Sequence, residues 1–205
     1  MSRPSLNYCA LRYLNQWLSK DRYFCEALEG NDRPAKLKAL SDAASFYGVA
    51  RNLPKAFDAQ KGLSRYEPLL EVIDGVSAGS FEGITLVPAI RQVRDDISQR
   101  YGNRDVLSLT TKFLWIKLKS PILIYDSQAK KALDNPNNIA AYYDKWQIEF
   151  KKVQADIDAA CRTLPSVHTY CITPNLFSSS DIENIAATPW FKERVFDIYL
   201  WSLGS

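Results

Sequence analysis

Histidine is almost missing from this chain: His168 stands alone among 205 residues. A Cys/His zinc site therefore lacks its histidines, and a His-dependent serine or cysteine triad would rest on one residue. The four cysteines, Cys9, Cys25, Cys161 and Cys171, lie far apart with no CxxC pair. They read as buried thiols of a reducing compartment. No metal and no cofactor is expected. Glycine (8) and proline (10) are too few for a collagen-like or linker-like chain. No run of 18 apolar residues occurs, so no spanning helix and no membrane partner are expected. The opening Met1-Ser2-Arg3-Pro4 lacks the apolar stretch of a secretory signal, which gives a cytoplasmic expectation.

What the chain does have is a globular balance, 46% hydrophobic and 24% charged residues. Its apolar residues recur at helical spacing. Leu6, Cys9, Ala10, Tyr13, Leu14, Trp17 and Leu18 mark a first amphipathic helix. Leu37, Leu40, Ala44 and Tyr47 mark a second, and Leu69, Leu70, Val72 and Ile73 a short one after Pro68. Ile84, Val87, Ile90, Val93 and Ile97 predict another, with Pro88 in its first turns. The clearest stripe runs Ile139, Tyr143, Trp146, Phe150, Val153, Ile157 and Ala160, with Lys145, Glu149, Lys152 and Asp156 opposite. Ser180-Asp-Ile-Glu183 reads as a capping box, and Thr188-Pro189 as the start of a last helix through Trp201. Strand signals are confined to Ile122–Tyr125 and Val167–Ile172. Residues 134–138, Asp-Asn-Pro-Asn-Asn, read as a turn. The expectation is an all-α or nearly all-α fold. It forms one unit over 1–205, divisible into an N-terminal helical subdomain 1–80 and a helical part 81–205, which becomes the catalytic part under the resemblance given below.

Charge is unevenly spread. Residues 101–152 carry 9 positive and 5 negative side chains, whereas residues 153–205 carry 3 and 6. A local basic excess fits a surface facing a polyanion, and equally a solvated lysine face.

Residues 105–133 carry the functional reading. On a helix from Asp105 to Lys119, at about 100° per residue, the apolar side chains spread round most of the circumference. Such a helix is central and buried. Ser108, Lys112 and Lys119 form its main polar window with Trp115 beside it, while Thr110 and Lys117 form a smaller one. A lysine held there loses hydration and is driven toward the neutral amine that a Schiff-base nucleophile needs. Snorkelling to solvent is the structural alternative. Fourteen residues on, the apolar run Ile124-Tyr125 stops at Asp126, and helical character resumes at Gln128. Asp126 or Ser127 is a natural N-cap.

This segment resembles the helix-hairpin-helix DNA glycosylases, in particular the branch with the 8-oxoguanine-glycosylase fold. That branch includes small bacterial proteins associated with phage defence. The family hairpin reads Leu-Pro-Gly-Val-Gly-Thr-Lys, followed by a Pro-Val-Asp element. Here Val106-Leu-Ser-Leu-Thr-Thr-Lys112 is followed by Ile124-Tyr125-Asp126, with Ser108 and Thr110 where the family has glycines. The likeness covers about 30 residues and extends weakly to Arg194–Trp201. It implies that Lys112 is the nucleophile and Asp126 the catalytic carboxylate. The substrate would be double-stranded DNA bearing a damaged or modified base, excised with or without strand cleavage. Trp115, Tyr125 and Trp201 are the candidate walls of a pocket for the flipped base. Ser108, Thr110, Lys117, Lys119, Lys130 and Lys131 are the candidate DNA contacts.

Two other readings are open to the same residues. Glu149-Phe-Lys151 has the Glu-x-Lys form of a metal-dependent nuclease core but lies in the strongest helical stripe, where that core needs a strand. A non-catalytic helical module for nucleic acid or a protein partner would use Lys112 for phosphate or structure.

Overall fold

The computed structural model describes residues 3–54, 63–173 and 175–205. Among these residues the regular structure is helical throughout, with ten α-helices and no strand. The nearly all-α class expected from periodicity is therefore the class observed. The helices are α1 (Leu6–Gln16), α2 (Arg22–Glu29), α3 (Arg33–Phe46), α4 (Glu67–Asp74), α5 (Leu86–Arg100), α6 (Leu107–Leu118), α7 (Ser127–Ala132), α8 (Ile139–Thr163), α9 (Ser179–Ala187) and α10 (Pro189–Gly204). They gather into two compact units, one of residues 1–19 with 125–205, the other of residues 20–124. The division expected at 80/81 falls inside the second unit, between α4 and α5, which pack on each other. No described helix is long and apolar enough to cross a membrane.

In the first unit α10 packs against α1, α7, α8 and α9. Phe191, Val195, Phe196, Ile198 and Leu200 of α10 are buried. The Phe191 ring meets Tyr13 of α1 at 4.9 Å, and the Phe196 ring meets Trp146 of α8 at 5.0 Å. Burying each such ring stabilises by about 1.5–3 kcal/mol. The stripe predicted on α8 faces inward: Ile139, Tyr143, Trp146, Ile157 and Ala160 are buried. Lys145 and Lys152 on the other side pair with Asp134 at 2.5 Å and Glu149 at 2.6 Å. Glu149 and Lys151 lie within α8, so the nuclease core has no strand to stand on. Gly204 lets α10 come so close to α7 that a Cβ there would run into the Gln128 carbonyl.

In the second unit α2 packs on α3 and α6, and α5 on α4 and α6. Leu28, Leu40, Leu69, Leu70, Ile73, Ile90, Ile97 and Leu114 are buried. The Tyr101 hydroxyl ties the segment before α4 to the core. It accepts from Leu69 N at 3.1 Å and donates to Arg65 O at 2.6 Å. The apolar face of α5 begins later than predicted. Ile84 sits in a 3-10 turn, Gly83–Thr85, before α5, and its side chain lies outside the described residues.

Three local expectations are corrected. The capping box belongs to Ser178 and Asp181, two residues before the Ser180 start that was read. Ser178 Oγ and N both donate to the Asp181 carboxylate, at 2.7 and 2.8 Å, and hold it below the usual range. Val167–Ile172 is not a strand: a 3-10 helix occupies Leu164–Tyr170, and Tyr170 and Ile172 are exposed. Ile122–Ile124 is buried but forms no strand either, because the described chain offers no second strand to complete a ladder.

Candidate functional site

Lys112 is 3% exposed, so it does not snorkel. Around it Leu109, Thr110, Thr111, Phe113, Leu114, Trp115 and Ile116 are also buried, which makes α6 the all-round core helix that its composition predicted. Long helical side chains lean back toward the helix N-terminus. Lys112 follows that rule: its Nζ donates to Ser108 Oγ at 2.7 Å, one turn earlier. Ser108 is half-buried in the first turn, and the first-turn amide of Leu107 donates to Asp105 Oδ1 at 3.3 Å.

The other predicted residues of α6 divide. Thr110 is buried, and its hydroxyl donates to Val106 O at 2.9 Å, so it is committed to its own helix and does not face a phosphate. Trp115 is 1% exposed and belongs to the core. The Lys117 amine donates to Leu28 O at 3.4 Å and stands 3.8 Å from Asp74. The Lys119 amine donates to Glu29 Oε1 at 3.1 Å, and its backbone closes the helix at φ 59°. Both lysines lie against acidic groups of their own unit, with 19% and 22% of their side chains exposed.

Asp126 belongs to the other unit, together with Tyr125. Its carboxylate accepts from Gln128 N at 2.9 Å and caps α7, as its position after an apolar run predicted. Tyr125 is half-buried, its ring edge-on to Tyr142 at 4.9 Å. Burial pushes the Tyr142 hydroxyl well above the usual tyrosine range, and the carboxylates of Asp197 and Asp126 add to this. Lys130 is half-buried on α7, and Lys131, exposed, donates to Gly204 O at 2.7 Å. Trp201 is 41% exposed, with the Arg12 guanidinium 5.1 Å above its ring. It stands at the surface of α10, not in an enclosed pocket.

Beside Tyr142 lies a buried polar cluster that sequence reading resolved only in part. Arg194 and Asp197, read as an i,i+3 pair, do pair at 2.7 Å. Trp146 Nε1 also donates to Asp197 at 2.8 Å, and the Arg194 guanidinium lies 5.3 Å over the Tyr13 ring. Burial pushes the Asp197 carboxyl upward, against the opposing pull of Arg194 and Trp146. Trp146 was legible as an apolar-stripe residue, but nothing in the sequence marks its indole N–H as the partner of a carboxylate 51 residues away.

Among the described residues no cluster of three or more His, Cys, Asp or Glu side chains could hold a metal ion. No family model, no curated protein and no solved structure matches the chain.

Proposed function

We propose that this protein is a DNA glycosylase of the helix-hairpin-helix type, in the 8-oxoguanine-glycosylase-fold branch, with Lys112 as nucleophile and Asp126 as catalytic carboxylate. The observation that supports it is the Lys112 amine, buried in the first turns of α6 within the segment that resembles the family hairpin. A neutral amine is the nucleophile that Schiff-base chemistry requires. Asp126 accepts the cap bond of α7 from Gln128 N through one carboxylate oxygen.

In the proposed reaction the base is flipped out of the duplex. The Lys112 Nζ lone pair forms a bond to C1′ while the glycosidic C1′–N bond breaks, its electron pair leaving on the base. Asp126 stabilises the positive charge that develops on the sugar and carries the proton released by the new secondary ammonium to the departing base. The nitrogen lone pair then expels O4′, which takes a proton from solvent, and an iminium to the opened sugar remains. Lys130 and Lys131 on α7 are the proposed phosphate contacts.

The test is borohydride trapping on duplexes carrying oxidised guanine, an alkylated base or a hypermodified cytosine. A covalent protein–DNA adduct with at least one of them, lost in Lys112→Gln while DNA binding survives, is the expected result. Equal trapping by parent and Lys112→Gln would remove Lys112 as the nucleophile. DNA binding without an adduct on any duplex would leave a non-catalytic nucleic-acid module.

A further inference from the structure

We infer that Ser108 is the positioning residue of the Lys112 amine: its hydroxyl holds the nitrogen in place through both protonation states of the reaction proposed above, on which this inference rests. The pairing has a firm geometric basis. Residues four apart on a helix are neighbours on one face, and the Lys112 Nζ reaches Ser108 Oγ at 2.7 Å. The lysine is 3% exposed, whereas Ser108 is only half-buried in the first turn of α6. The amine therefore sits at the deep end of a polar step that opens outward through the serine.

The chemistry of a hydroxyl suits that place. A serine hydroxyl both accepts and donates. It accepts an N–H from the ammonium and donates its O–H to the lone pair of the neutral amine. It must then rotate back to accepting an N–H as that lone pair turns to the sugar carbon. The nitrogen keeps its position through the change. The location adds to the effect, because the first turn of a helix is its positive end and disfavours a second positive charge there. Asp105, whose carboxylate takes the Leu107 amide at 3.3 Å, partly offsets this without displacing the serine. At this position the chain departs from the family hairpin, which has a glycine and can offer no such hydroxyl. The Thr111 hydroxyl donates to Ser108 O at 3.3 Å, a contact with the backbone of the same residue.

The probe is a duplex oligonucleotide with one natural abasic site. Its aldehyde carbon accepts the lysine nitrogen, water is lost, and borohydride reduces the resulting iminium to a stable secondary amine. Parent, Ser108→Ala, Ser108→Thr and Lys112→Gln are compared for trapping rate and for affinity to the same duplex. At saturating duplex Ser108→Ala is expected to trap roughly tenfold more slowly, the order of loss for one positioning hydrogen bond. Ser108→Thr, which restores the hydroxyl, is expected to recover most of the rate. A Ser108→Ala protein that traps at the parental rate, or a Ser108→Thr protein as slow as Ser108→Ala, overturns the assignment. Failure of the glycosylase reading itself looks different: the parent then gives no adduct. In that case the Lys112 side-chain resonances in NMR decide what remains. A shift in Ser108→Ala that returns in Ser108→Thr would reduce the pair to a structural contact, and no shift would dissolve the pair as well.

Discussion

The indole N–H of Trp146 donates to Asp197 Oδ1 at 2.8 Å, and Asp197 in turn receives Arg194 at 2.7 Å, so one carboxylate joins α8 to α10 below the surface. Both ionic partners are buried, at 5% and 8% side-chain exposure. The two changes that break this link should differ in cost. Trp146→Phe removes one donor and some ring area and should lower unfolding free energy by about 1–3 kcal/mol. Asp197→Ala removes the buried carboxylate partner of the Arg194 guanidinium and should cost about 3–5 kcal/mol. Urea unfolding followed by circular dichroism measures both, and equal costs would contradict the ranking.

Lys112 is buried and its amine donates to Ser108 Oγ at 2.7 Å. Lys112→Met removes one partner of a buried hydrogen bond and should lower unfolding free energy by about 1–3 kcal/mol, while abolishing any adduct with DNA. A calorimetric midpoint equal to the parent's would show that the amine contributes nothing to stability.

Asp126 has two separable roles. Asparagine caps a helix as well as aspartate, so Asp126→Asn should fold with parental stability, whereas Asp126→Ala should lose about 1 kcal/mol. If the carboxylate acts on the sugar, Asp126→Asn should lose turnover nonetheless. Full turnover in the stable Asn protein would reduce Asp126 to a cap.

The thiols should be silent in the folded state. Burial pushes Cys9 up to about 11 and Cys25 and Cys161 up to about 12, from an ordinary 9.0. At pH 8 a disulfide reagent should modify these three only after denaturation. Because the folded state holds these protons more tightly, their contribution to stability is whole below pH 9.0 and is lost as pH rises toward about 12. Unfolding midpoints measured upward from pH 9.0 should fall.

At Gly204 the absence of a side chain is required by packing. Gly204→Ala drives a Cβ into the Gln128 carbonyl and should lower stability by about 1–3 kcal/mol, with α10 pushed away from α7. A thermal melt no lower than the parent's would show that the chain end yields at no cost.

Long stripes were legible because burial on one face of a helix leaves a period in the sequence. α8 and α6 are of this kind, and α6 could even be recognised as buried all round. α2 carries no start signal of its own. Its N-terminus follows directly from a π-helical turn, Trp17–Asp21, and the Asp21 side chain makes no cap bond. That carboxylate accepts instead from the Tyr47 hydroxyl at 2.8 Å, a partner no local pattern announces. The false strand signals were short apolar runs, which periodicity alone cannot separate from buried helical or irregular segments. Within the site, the Ser108–Lys112 spacing was visible as a shared face. The internal pairing of Lys117 and Lys119 was hidden, because Glu29 and Asp74 lie far away along the chain.

Because residues 1–19 fold with residues 125–205, α1 meets α8 and α10 only after more than a hundred intervening residues have been synthesised. On the ribosome the 20–124 unit is complete first, and α1 must wait with its apolar face exposed for its packing partners to emerge. Ribosome-bound chains arrested before residue 125 should therefore leave Tyr13 and Leu14 open to chaperone capture, a vulnerability that ends with translation.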